Sequence, residues 1–203
     1  MERDLIIAEE TQSAVSWPAI FAGAATALAV SFVLLAVAAG FGLQLASPWP
    51  GAGGSFDNFN PTLGAILVAI QVLSAAFGGY LAGRLRTTWV DVHTHEIHFR
   101  DTAHGLLVWA VSTIAGVLLA LALAAPATGH MAAQIAAGAG TIDPAALQAQ
   151  TDRAASIAAQ ASLFMGVGLL LSAFIAAVAA GVGGHRRDEM HTVYWTERGR
   201  VRT

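Results

Sequence analysis

Four aliphatic stretches, each long enough to cross a bilayer and none containing Asp, Glu, Lys or Arg, constrain this chain more than any other feature. They run from about Trp17 to Leu43, Thr62 to Gly83, Thr102 to Ala125 and Ile157 to Gly183. A spanning helix needs about 20 mostly apolar residues to cross a hydrocarbon core about 30 Å thick. That core holds no water for backbone groups, so a spanning segment must bond its own amides and carbonyls, as a helix does. Charged residues make up 11% of the chain, against about 25% in ordinary soluble domains. The expected fold class is therefore an all-α membrane protein with four transmembrane helices.

The ends of these stretches carry helix signals. Ser16 precedes Trp17-Pro18, and proline is tolerated in a first turn. Asn60-Pro61-Thr62 opens the second span, and Asp101 is a plausible N-cap for the third. Gly183-Gly184 reads as the end of the fourth. Asp143-Pro144 reads as an N-cap with proline at the first helical position, and no breaker follows until the membrane. One continuous helix is expected from about Pro144 to Val182; the alternative is a separate surface helix over its first part. The region 126–156 is then a helical extension outside the bilayer, on the periplasmic side. Residues 1–16 form an N-terminal segment, 17–184 the membrane domain and 185–203 a tail.

Orientation follows from arginine, the sole basic residue type besides histidine. The connection between spans two and three carries Arg84, Arg86 and Arg100, and the tail carries Arg186, Arg187, Arg198, Arg200 and Arg202. The connection between spans one and two has none, and the one between three and four has Arg153. The positive-inside rule puts both termini in the cytoplasm and the chain in a bacterial inner membrane as a multi-pass protein. Trp17, Trp49, Trp89 and Tyr80 lie near span ends, where interfacial anchors sit. The start MERDLIIAEE is acidic rather than basic, so the first span is expected to serve as its own insertion signal. "LSAAFGGYLAGRLR" and "LSAFIAAVAAGVGGHRR" form a faint repeat, the pattern two tandem helical hairpins would leave.

Small residues recur at four-residue spacing: Gly79 with Gly83, Gly23 with Ala27, Ala36 with Gly40, and Ala173, Ala177, Gly181. Such faces let backbones approach closely, within one bundle or between subunits. Gln71 is the most polar side chain near mid-membrane, suited to an interhelical hydrogen bond or, in an oligomer, a pore lining. Ser74, Ser112, Thr113 and Ser172 can bond their own backbone. Ion-coupled transporters and voltage sensors need ionisable groups at that depth, and none is there.

The segment "DVHTHEIHFRDTAHG" concentrates four histidines in one connection. His93 and His95 share a face if extended, and His95 and His98 are neighbours at i, i+3 if helical. Zn²⁺, Ni²⁺ or Cu²⁺ would accept such a set, although "HTHEIH" lacks the HExxH order of zinc proteases. The alternative is a solvated turn, its ends fixed by pairing of Arg84 or Arg86 with Asp91, Glu96 or Asp101. In that reading Asp101 and His104 close the start of the third helix, and Arg100 sits at headgroup level. His104 and His185 bracket spans three and four and could serve as axial haem ligands. The tail "HTVYWTERGRVRT" suggests a short hairpin, or an aromatic pair lying at the interface.

Cysteine is absent, which excludes disulfides and thiolate chemistry. No nucleophile–base pair or phosphate loop appears, so no enzyme activity and no cofactor are expected. "GGYLAGR" closing one span and "FRDTAHGLLVW" opening the next resemble a group of small bacterial integral membrane proteins of uncharacterised function, some labelled PhnA-like. The resemblance lies in Gly78, Gly79, Ala82, Gly83, Arg84, Arg100, Asp101, His104, Gly105 and Trp109. It implies a four-helix membrane protein and no activity. The expected function is non-catalytic association, as a homo-oligomer or accessory subunit, with the lipid bilayer and membrane proteins as partners and no nucleic acid. A metal- or haem-binding protein and a passive channel for a small neutral solute are the alternatives.

Overall fold

The structure, a computed structural model, describes residues 13–45, 61–87, 94–138 and 144–200. These form α1 (Trp17–Leu45), α2 (Pro61–Leu85), α3 (Thr94–Gly138) and α4 (Pro144–Arg200), with no strand among the described residues. All four helices are long and apolar enough to cross a membrane. Large apolar side chains point outward from each, among them Phe32, Leu123 and Leu170. That is the distribution lipid as solvent permits, because an acyl chain is as apolar as leucine.

Three helix ends differ from expectation. α3 begins at Thr94, so Asp101 sits in its third turn and is not the N-cap. The same helix runs through Pro126 to Gly138. Proline interrupts the hydrogen-bond ladder, but alanines dominate both sides and favour helix. α4 starts at Pro144 as one continuous helix, yet it passes Gly183-Gly184 and reaches Arg200. A capping glycine would end it in a left-handed conformation; here the pair stays helical and serves close packing instead. The tail up to Arg200 therefore extends α4 and forms no hairpin.

α2 and α3 touch each other and both outer helices, whereas α1 and α4 do not meet among the described residues. α2 and α3 are thus the short diagonal of a rhombus. Residue pairs give the directions. Gly79 faces Ala176 and Gly83 faces Ala180, so α2 and α4 run parallel. Gly78 faces Ala27 while Ala82 faces Gly23, making α1 antiparallel to α2, and Gly105 faces Ala176 while Thr102 faces Gly181, making α3 antiparallel to α4.

The contacts are backbone to backbone. A methyl group on Gly79 or on Gly105 would collide with the carbonyl of Ala176, one on Gly83 with that of Ala180, and one on Gly183 with that of Tyr80. Gly23 and Gly78 exclude each other's side chains in the same way. Ile20, Ala82 and Val108 close a small fully buried core beside them. The tight packing is concentrated at the end of the bundle that carries Arg86, with α1 joining by its first turns and α4 by its stretch from Ala176 to Gly184.

Gly79→Leu should therefore destabilise the bundle by about 1–3 kcal/mol, the usual range for overpacking. Gly166 and Gly40 have nothing within 4 Å of an added Cβ. Gly166→Ala should change stability by less than about 1 kcal/mol, in the stabilising direction, since alanine is the better helix former. Thermal unfolding of both variants and the parent chain in one detergent compares them.

Candidate functional site

Arg86 follows the last turn of α2 and stays on it, because its amide donates to the Ala82 carbonyl at 3.1 Å. From there its side chain turns inward and is wholly buried. Nε pairs with Asp101 Oδ1, and Nη2 donates to Asp101 Oδ2 at 2.9 Å. The same Nη2 donates to Asp188 Oδ2 at 3.0 Å, and Nη1 donates to the Thr87 carbonyl at 3.1 Å. One guanidinium thus joins α2 to a carboxylate on α3 and another on α4. Guanidinium suits this because its donors form a rigid planar fork. Gly184 makes room, since any side chain there would run into Asp101 and the Arg86 fork.

His104 lies one turn along α3 from Asp101 and is 1% exposed. Its Nε2 is 2.8 Å from the Ser16 amide nitrogen, and its Nδ1 is 2.7 Å from the Arg100 carbonyl oxygen. The Ser16 amide can only donate, so Nε2 accepts. Nδ1 then carries the proton and donates to Arg100. This neutral tautomer ties the segment entering α1 to α3, and it engages both ring nitrogens within the protein. Further along, Trp109 Nε1 donates to Ser172 Oγ at 3.0 Å, joining α3 to α4.

The other expected residues are placed as follows. His93 and Asp91 lie outside the described residues. His95 and His98 are exposed on the first turns of α3, and Arg100 pairs with Glu96 at 2.7 Å along the same helix. The rings of His98 and His185 approach to 6.5 Å, and His185 Nε2 is 3.4 Å from Glu189. No group of three His, Asp or Glu gathers at metal-holding distance among the described residues. Arg84 is half-buried. Of the small faces, Gly79, Gly83, Gly23 and Ala27 are buried inside the bundle, while Ala36 and Gly40 remain exposed. On α4 the tight stripe is Ala176 and Ala180; Ala173, Ala177 and Gly181 are half-buried beside it, with Ala177 and Gly181 facing α3.

Beyond this packed end the helices enclose a cleft of about 390 Å³, lined from all four of them and including Gln71, Ser74, Trp109 and Ser172. Gln71 presses its Oε1 against Gly168, where a Cβ would not fit. Sequence reasoning named Gln71 and offered Asp101 as a partner for Arg86, but it missed Asp188 and the cleft and took Ser16 and Gly184 only as helix-end signals. Asp188 follows Gly184 by four residues and would have shared its face had the helix been continued past the glycine pair. Comparison with known protein families, with curated proteins and with solved structures gave no match.

Removing Arg86 would leave the buried Asp101 carboxylate and the part-exposed Asp188 without the cation they share. Arg86→Met should cost about 3–5 kcal/mol, the range for breaking a buried ion pair from one side. The triple change Arg86→Met, Asp101→Leu, Asp188→Leu should recover most of that loss. Unfolding of each variant by a denaturing detergent checks the difference, and equal losses in both would sink the assignment of the cluster as a mutually dependent unit.

Proposed function

We propose that this is a non-catalytic membrane protein that acts through association, as a homo-oligomer or as an accessory subunit of a larger membrane complex. The observation that carries this reading is the length of α4. It has 57 residues, which at about 1.5 Å each is about 86 Å, far more than a bilayer requires. Its stretch 148–163 is exposed on every side except at half-buried Ile157. α3, with 45 residues, also outruns a single span. A pair of helices projecting past the bilayer offers a docking element, and the exposed Ala36 and Gly40 on α1 offer a close-packing face within it.

The arginine distribution supports cytoplasmic termini and a bacterial inner membrane, with the projecting α3–α4 hairpin on the periplasmic side. The faint repeat supports two tandem hairpins, α1–α2 and α3–α4, whose second helices lie side by side and parallel. The likeness of "GGYLAGR" and "FRDTAHG" to small bacterial membrane proteins supports a shared architecture with that group. Its shared residues include Gly79, Gly83, Asp101, His104 and Gly105, the same ones that pack the Arg86 end.

Extraction from native membranes in mild detergent, followed by native mass spectrometry, should give a multiple of 20.9 kDa or a complex with other subunits. A lone monomer under every mild condition would refute the proposal. The absence of cysteine makes topology easy to test. Gln150→Cys should react with an impermeant maleimide on intact spheroplasts, and His95→Cys only after lysis. The reverse pattern would invert the orientation.

A further inference from the structure

We infer that the outer junction of α2 and α4, at the end of the bundle that carries Arg86, holds the headgroup of one anionic glycerophospholipid. Gly183 brings the two helices together there, with its Cα against the Tyr80 carbonyl and the Arg84 amide. Tyr80 and Arg84 share a face of α2 at i, i+4, and Arg186 and Arg187 follow Gly183 on α4 by three and four residues. Arginines from two helices therefore flank one junction. Arg186 is exposed, and Arg84 and Arg187 are half-buried. Arg84 and Arg187 are close enough for their like charges to repel. The next residue, Gly184, meets Asp101 of α3 instead, so the Gly183 side is turned away from α3.

Helical register sorts the charges at this end. Asp188 pairs with Arg86, and Glu189 lies against His185, whose ring approaches His98 of α3. Both acids are thus turned toward α3, and α2 has no acidic residue. Asp188 and Asp101 also attract Arg187, but Arg86 holds both of them. Among the described residues the junction is left with charge of one sign. Its depth fits a lipid. α2 has 25 residues, about 37 Å, so Arg84 in its last turn reaches the headgroup level of a core about 30 Å thick. Below Arg84, Tyr80, Phe77 and Leu73 are exposed at helical spacing, a track for an acyl chain with tyrosine at the interface. A guanidinium gives phosphate two parallel hydrogen bonds, and arginines at a bilayer boundary attract anionic lipid. A choline headgroup would bring one more cation to the arginines, so the fit is to a net negative headgroup such as phosphatidylglycerol. This inference does not depend on the association reading, since both walls belong to one chain.

The test places the full chain in micelles holding equal amounts of phosphatidylglycerol and phosphatidylcholine and counts retained lipid by native mass spectrometry. The parent chain should keep one phosphatidylglycerol, preferred about fivefold or more over phosphatidylcholine. Arg84→Gln combined with Arg186→Gln should abolish the preference, and lysine at both positions should restore part of it. Thermal unfolding checks that the double variant is folded; if it is not, Arg186→Gln alone, at an exposed side chain, carries the comparison and should lower the preference. Arg100→Gln removes one charge at the same end but outside the junction, and should leave the preference as it is. A drop in Arg100→Gln equal to that in Arg84→Gln would show attraction to the net charge of the whole end and overturn the inference. Equal retention of the two lipids by the parent chain, or a preference unchanged without Arg84 and Arg186, would overturn it too. Displacement of the lipid by soluble glycerol phosphate would assign the arginines to a soluble anion instead.

Discussion

The backbone contact between α2 and α4 is the constraint from which the rest of the structure follows. In lipid there is no hydrophobic force pulling helices together, so association rests on dispersion at close range and on polar contacts. Gly79, Gly83 and Gly183 remove the side chains that would hold the two backbones apart. Gly105 lets α3 reach the same carbonyl of Ala176 that Gly79 meets. Two helices therefore converge on one turn of α4. Only at such a convergence can a guanidinium from one helix reach carboxylates on two others, and Gly184 leaves the space in which they meet.

The ion cluster is better understood as fixing register than as supplying stability. Burying Arg86 and Asp101 beside the part-exposed Asp188 carries a desolvation cost that their attraction largely offsets, and apolar replacements often do as well. Small-residue stripes, by contrast, hold helices close without saying how far one has slid along another. A slide of one residue moves a helix by about 1.5 Å, enough to take Arg86 out of reach of Asp188 or Asp101. His104 applies the same logic to α1. Its Nε2 accepts from the single amide of Ser16, which ties the entry of α1 to one level of α3.

The four spans were legible because a long aliphatic stretch without charge has few other structural solutions. So was the start of α4, where Asp143-Pro144 sets a helix in a conformation that proline already favours. The ends were not legible, and Gly183-Gly184 shows why. Glycine terminates helices and also permits helices to touch, and only the neighbour's position decides which. With the end misplaced at Gly183, Asp188 fell outside any expected helix and its alignment with Arg86 could not be seen. The same ambiguity blurred the face of α4: where nearly every residue is small, four-residue spacing can be drawn through Ala173, Ala177 and Gly181 or through Ala176 and Ala180 with equal ease. Asp101 misled differently. An acid before an aliphatic run reads as a cap, yet here the helix begins at Thr94 and the acid is an interior partner.

The close packing at one end also accounts for the opening at the other. Residues that bring α2 against α1 and α4 cluster between Gly78 and Gly83, and toward Leu67 the same helix carries larger side chains. Around Gln71, α4 keeps a close approach, because Gly168 leaves room for the Gln71 side chain, and the cleft opens beside this contact. α1 and α4 lie on opposite sides of the α2–α3 diagonal and do not meet among the described residues. Gln71 and Ser74 stand on α2 just where the small residues give out, one to two turns from Gly78. Gln71 Oε1, pressed against Gly168 of α4, and Ser74 Oγ are left without hydrogen-bond partners there.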